Sequence, residues 1–142
     1  MRALGIDFGT KRIGLAVSDP TGTVATPLDT IQRRAGKRPP LAKMEQLGRD
    51  LTVEHLVVGL PLDLQGEETD WCSEVRSMGD RLAERLGIPV SYVDERMTSV
   101  RAERAVRSLG LSRQERERKD RVDAAAAQLI LQAWLDQPGI AR

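Results

Sequence analysis

The stretch Leu4-Gly5-Ile6-Asp7-Phe8-Gly9-Thr10 is an apolar run with a carboxylate at its centre. Ile, Leu and Phe in succession describe a strand made for burial, where an acid is costly unless something compensates it. Gly5 and Gly9 leave the backbone bare on either side of Asp7. That suits close approach of another backbone, a metal ion or a phosphate. A strand Asp could equally accept hydrogen bonds from a nearby turn; the rest of the chain weighs against that plainer reading.

The 142 residues suit a single domain, 1–142, large enough to bury a core. The formal net charge of +1 does not announce a polyanion partner, but its distribution does. Arg33, Arg34, Lys37, Arg38 and Lys43 have no acid among them, and Arg101 to Arg121 holds eight basic residues against four acidic ones. Two basic segments on a nearly neutral chain suit a nucleic-acid face, although either alone could simply solvate a helix. Cys72 is the only cysteine, which excludes an intramolecular disulfide and a cysteine-based zinc site. No apolar stretch approaches the roughly 20 residues of a membrane span, and no signal-peptide pattern is present. A cytoplasmic protein without membrane contact is expected.

Three strands are predicted first: Ala3 to Phe8, Arg12 to Ser18, and Thr23 to Ile31, the last placed at an edge by Pro27. Leu41, Met44, Leu47 and Leu51 follow helical spacing, and Leu56 to Pro61 reads as a strand buried on both faces. Trp71, Val75, Met78 and Leu82 mark a second helix ended by Gly87, followed by a strand from Pro89 to Glu95. A third helix is predicted from Thr98 to Leu109, a mobile charged loop over Gly110 to Lys119, and a last helix from about Arg121. The order implies an α/β fold with a mixed five-stranded sheet, three antiparallel strands then parallel ones, and helices on both faces.

Further acids stand in unusual places. Asp94 and Glu95 end an apolar strand, where ligand sites form in open α/β sheets; a salt bridge to Arg96 or a helix cap is the plainer alternative. Asp123 is followed by four alanines, so its helix face can approach a sheet closely; compensation of a helix dipole in a first turn is its plainer reading. Carboxylates from three such places can converge, and they tolerate one another when hard divalent cations lie between them. Mg²⁺ or Mn²⁺, one ion or two about 3.5–4 Å apart, can activate a water against a phosphodiester. Acids flanked by basic segments describe a metal-dependent nuclease.

Four stretches carry a resemblance: Gly5 to Gly14, Val58-Gly59-Leu60-Pro61, Asp94-Glu95-Arg96-Met97-Thr98-Ser99, and Val122 to Leu131. In this order and spacing they resemble the YqgF (RuvX) family over nearly the whole chain. The resemblance implies a ribonuclease H-like fold related to RuvC-type resolvases. It implies a bacterial nuclease acting on structured nucleic acid, either the 16S rRNA precursor at its 5′ end or a four-way DNA junction. Carried over by position, the catalytic and metal-holding acids are Asp7, Glu95 and Asp123, with Asp120 ranked second. The loop Leu62-Asp63-Leu64-Gln65-Gly66 departs from the family's Asn-Met-x-Gly pattern; Asp63 there disfavours a phosphate contact but could reach a metal through water.

Thr10, Lys11, Arg12 and Arg96 are the expected phosphate contacts, with Arg113, Arg116, Arg118 and Lys119 lying over the backbone of the substrate. With aromatic content at 3%, base stacking is not the main grip. His55, the sole histidine, enters a buried strand and reads as structural. A homodimer is considered because resolvases cut two strands symmetrically. Two rival readings stand beside this one. A non-catalytic RNA-binding assembly factor would keep the fold without cleavage. A nucleotide-binding module of the actin, Hsp70 and sugar-kinase superfamily would share the first loop, but it needs two lobes and a second phosphate hairpin, which a single domain of 142 residues with no repeat does not offer.

Overall fold

The computed structural model describes residues 1–33, 38–97 and 113–138. Among these, six strands form one mixed sheet: β1 (Ala3–Phe8), β2 (Arg12–Ser18), β3 (Ala25–Pro27), β4 (Ile31–Gln32), β5 (His55–Leu60) and β6 (Val90–Asp94). The described helices are α1 (Leu41–Asp50), α2 (Asp70–Leu86) and α3 (Arg113–Leu135), with a 3-10 turn at Glu95–Met97. The sheet order is β3-β2-β1-β5-β6, and β4 also pairs with β2. β2 runs antiparallel to β1, with Asp7 opposite Gly14. β5 runs parallel to β1, and β6 parallel to β5. The meander followed by parallel strands is the predicted arrangement.

Two expectations are corrected. The predicted strand Thr23 to Ile31 is two short strands, both antiparallel to β2. Pro27 has no N–H to continue a ladder, and Leu28 instead donates to the Leu15 carbonyl at 2.8 Å, keeping the link beside β2. From Arg113 the predicted loop is helix, the start of α3, and residues 110–112 lie outside the described residues. Its Arg, Gln, Glu and Lys residues are strong helix formers, and Glu115 and Lys119 have the i, i+4 spacing that supports a helix without an apolar stripe. The predicted helix Thr98 to Leu109 lies outside the described residues.

Period-two alternation along the strands divides the core into two layers of different character. On one face Leu4, Ile6, Phe8, Ile13, Leu15, Leu56, Val58 and Leu60 pack with α1 and α2. Threonine at position 69 caps α2, its hydroxyl accepting from the Cys72 amide at 3.4 Å, and Gly87 ends the helix at φ 67°. On the other face the sheet offers mainly small residues, Ala3, Ala16, Ala25 and Val57, to Ile130, Leu131, Trp134 and Leu135 of α3. Burying those four side chains is worth about 1.5–3 kcal/mol each. Glycines complete the small face. A Cβ on Gly5 would lie 2.7 Å from Leu131 Cβ, and one on Gly14 would overlap the Asp123 carbonyl.

Gly14→Ala is therefore expected to lift α3 off the sheet and destabilise the chain by roughly 1–3 kcal/mol, read from a denaturant midpoint. A change within about 0.5 kcal/mol would contradict this seating.

His55 supports the same layer. Its ring lies 4.6 Å from that of Trp134, and its Nε2 shares a 2.8 Å hydrogen bond with Ser91 Oγ. Burial pushes its pKa below the ordinary histidine value. The unfolded chain therefore takes up this proton first as pH falls. The contribution of neutral His55 is complete above about pH 6.5 and declines as pH drops through that value toward the lowered folded pKa. A Tm that falls between about pH 7.5 and 5.5 is expected, with His55→Gln flattening that part of the profile.

Candidate active site

Three elements bring the predicted acids to one face. Asp7 lies near the C-terminal end of β1 and is 2% exposed. It shares the alternation of Gly5, whose face meets α3, while Leu4 and Ile6 point into the opposite layer. Glu95 opens the 3-10 turn directly after β6 and is 4% exposed. Its side chain lies across Gly59 of β5, where an added Cβ would stand 2.9 Å from Glu95 Oε1. Asp123 sits on α3 where the helix backbone rests on Gly14, the residue paired with Asp7. Since β1, β5 and β6 run parallel, all three acids belong to the end of the sheet where those strands finish.

Asp123 is not in a first turn. It lies well inside α3, so helix-dipole compensation does not explain it. Its Oδ2 accepts from Arg12 Nε at 2.9 Å, and both side chains are 14% exposed. Arg12, expected on a phosphate, is thus engaged by an acid of the site. Among the described residues no three His, Cys, Asp or Glu side chains stand close enough to hold a metal ion. The donor chemistry fits a hard divalent cation, since all three groups are carboxylates. Among the described residues the arrangement does not join them as a single ligand set, and Asp123 is turned to Arg12.

The remaining predicted residues fall in two places. Thr10 and Lys11 are exposed on the β1–β2 turn. That turn is held by Gly9 N–H donating to the Arg12 carbonyl at 2.9 Å and by Arg33. The Arg33 guanidinium donates to the Gly9 carbonyl at 2.9 Å, and its backbone N–H to the Lys11 carbonyl at 2.7 Å. In the sequence Arg33 belongs to a basic segment; only the close return of the chain beside β2 gives it this bracing position.

Arg96 is exposed beside the end of β6 and chelates Asp94, with Nε at 3.0 Å and Nη2 at 2.7 Å from Oδ2. That bonding raises the guanidinium pKa. The Asp94–Arg96 bridge was the plainer alternative for this acid, and it leaves Glu95 as the buried member of the pair. Asp63 Oδ1 accepts the N–H groups of Gln65 and Glu67, each at 2.9 Å, so this carboxylate builds its own loop. Arg113, Arg116, Arg118, Lys119 and Asp120 all lie on the helical backbone of α3, N-terminal to Asp123.

Comparison with known proteins agrees with this architecture. A family model named RuvX, described as Holliday junction resolvase, matches residues 1–137. A protein of Anaeromyxobacter dehalogenans named "Putative pre-16S rRNA nuclease" is 44% identical over 137 residues, 96% of this chain and 98% of the relative. A protein of the same name from Moorella thermoacetica is 43% identical over 139 residues, covering 98% and 97%. Among solved structures, Thermus thermophilus RuvC superposes with a TM-score of 0.56 at 16% identity, over 95% of this chain and 94% of that one. The likeness to RuvC shows a shared ribonuclease H-like fold, and the sequence matches show the family. With its acids on the α3 face and its strands in that order, the chain belongs to the RuvX family.

Proposed function

We propose that this chain is a metal-dependent nuclease that hydrolyses phosphodiester bonds in structured nucleic acid. Its first candidate substrate is the 16S rRNA precursor, the molecule in the name of its relatives, cut at its 5′ end; a four-way DNA junction is the second. The observation that carries the reading is the convergence of Asp7, Glu95 and Asp123 on one sheet face at one strand end. Two of these acids are almost fully buried, an arrangement that favours a cationic neighbour.

Asp7 and Glu95 would hold Mg²⁺ or Mn²⁺, with Asp123 completing the set. A bound ion would supply the charge that lowers the pKa of a water and offsets charge on the phosphate. Asp7 pairs with Gly14 of β2 and follows directly on Ile6, which pairs with Val58 of β5, so a strand held on both sides carries it to the site. Glu95 is held against Gly59 by the turn that follows β6. Exposed Thr10 and Lys11 on the braced turn would meet the phosphate backbone, and the basic residues at the start of α3 would extend that contact.

The test is cleavage of two labelled substrates, an RNA spanning the 5′ end of the 16S precursor and a four-way DNA junction, with Mg²⁺, Mn²⁺ or chelator. Cutting that needs the ion and falls at least about a hundredfold in Asp7→Asn is expected. Tight binding without cutting, unchanged in Asp7→Asn, would overturn the catalytic reading and leave a binding module.

A further inference from the structure

The Arg12–Asp123 ion pair joins residues 111 positions apart, one on a strand and one on the helix that packs over it. Its reach is set by packing. Gly14, two residues along β2 and on the same face as Arg12, lets the α3 backbone at Asp123 sit directly on the strand. At 14% exposure on both sides the pair is shielded from water, and a charge-assisted bond there is stronger than one on an open surface. Asp123 Oδ2 therefore has a resident cation, with which a divalent ion seeking that oxygen competes.

We infer that Arg12 is an internal counter-ion of the site, holding Asp123 until a divalent cation takes the carboxylate and then passing to a phosphate of the nucleic acid. The inference rests on the nuclease reading above and adds a positioning residue to it. Three observations converge on Arg12. Its guanidinium is bonded to Asp123, the acid contributed by the helix and not by the sheet. Among the described residues the three acids do not form one metal-holding group in this arrangement. Arg12 also follows the exposed Thr10 and Lys11 on the braced turn, so a released guanidinium remains beside the expected path of the backbone. Its planar fork matches phosphate oxygens as well as it matches a carboxylate. No net charge is stranded in the exchange: the ion replaces Arg12 at Asp123, and the phosphate replaces Asp123 at Arg12.

The experiment is Mn²⁺ titration of the intact chain by calorimetry, without nucleic acid, for the wild type, Arg12→Gln, Asp123→Asn and the double variant. Removing the competitor should tighten Mn²⁺ binding roughly tenfold in Arg12→Gln. The same substitution should change affinity less than about twofold once Asp123 is Asn. Unchanged or weaker binding in Arg12→Gln, with the wild type still cutting, overturns the counter-ion role and leaves the nuclease reading standing. A wild type that neither binds Mn²⁺ nor cuts overturns both.

Should Arg12→Gln fail to fold, the wild type answers alone. The Arg12 Hε proton, protected by Asp123, should lose its protection against solvent exchange on saturation with Mg²⁺; retained protection overturns the exchange. With Ca²⁺ in place of Mg²⁺, the slope of log affinity for RNA against log salt should fall by about 0.7–0.9 in Arg12→Gln, the value of one phosphate contact. With chelator it should not change. An equal fall in both would mean that Arg12 meets phosphate without being released, which also overturns the proposal.

Discussion

The seating of α3 on the sheet is the contact on which the candidate site depends. One sheet face is built from Ala, Gly and Val, and onto it Ile130, Leu131, Trp134 and Leu135 descend. The opposite face is built from Leu, Ile and Phe and accommodates two helices. This asymmetry of side-chain size is what lets a helix backbone rest against Gly14 and so carry Asp123 beside Asp7. A bulkier face would keep the hydrophobic energy of packing but hold the helical acid away from the strand acids.

Charge is the second constraint. Asp7 and Glu95 are almost completely buried, and Asp123 stands over the same face. Carboxylates gathered in this way raise one another's energy unless cations are near. The protein supplies one in Arg12, and it directs other acids to structural work. Asp94 is chelated by Arg96, and Asp63 folds its own loop. The acids near the end of β6 are thereby sorted into one buried candidate and two that brace the rim.

Most of the architecture was readable from period and punctuation. The apolar runs of β1 and β5 and the helical spacing from Trp71 to Leu82 each state a partner surface, and Gly87 states where α2 stops. The reading failed where local and tertiary signals part. The start of α3 has no apolar stripe, so periodicity missed a helix that residue propensity alone supports. With the helix starting at Arg113, Asp123 lies in its interior, where a first-turn dipole explanation does not apply. The three candidate acids come from the family motifs. The Arg12–Asp123 bond was not, because a pair 111 positions apart leaves no mark in local sequence. Arg33 escaped for the same reason: its role depends on a chain return that composition does not encode.

The central claim is that Asp7, Glu95 and Asp123 serve one cation. Backbone amide NMR during substoichiometric Mn²⁺ addition tests it most directly, since paramagnetic broadening reports proximity to the ion. Selective loss of the signals of Asp7, Gly59, Glu95 and Asp123, reversed by chelator, is the predicted result. Broadening centred on the acidic loop from Asp63 to Asp70, with those four signals intact, would contradict it.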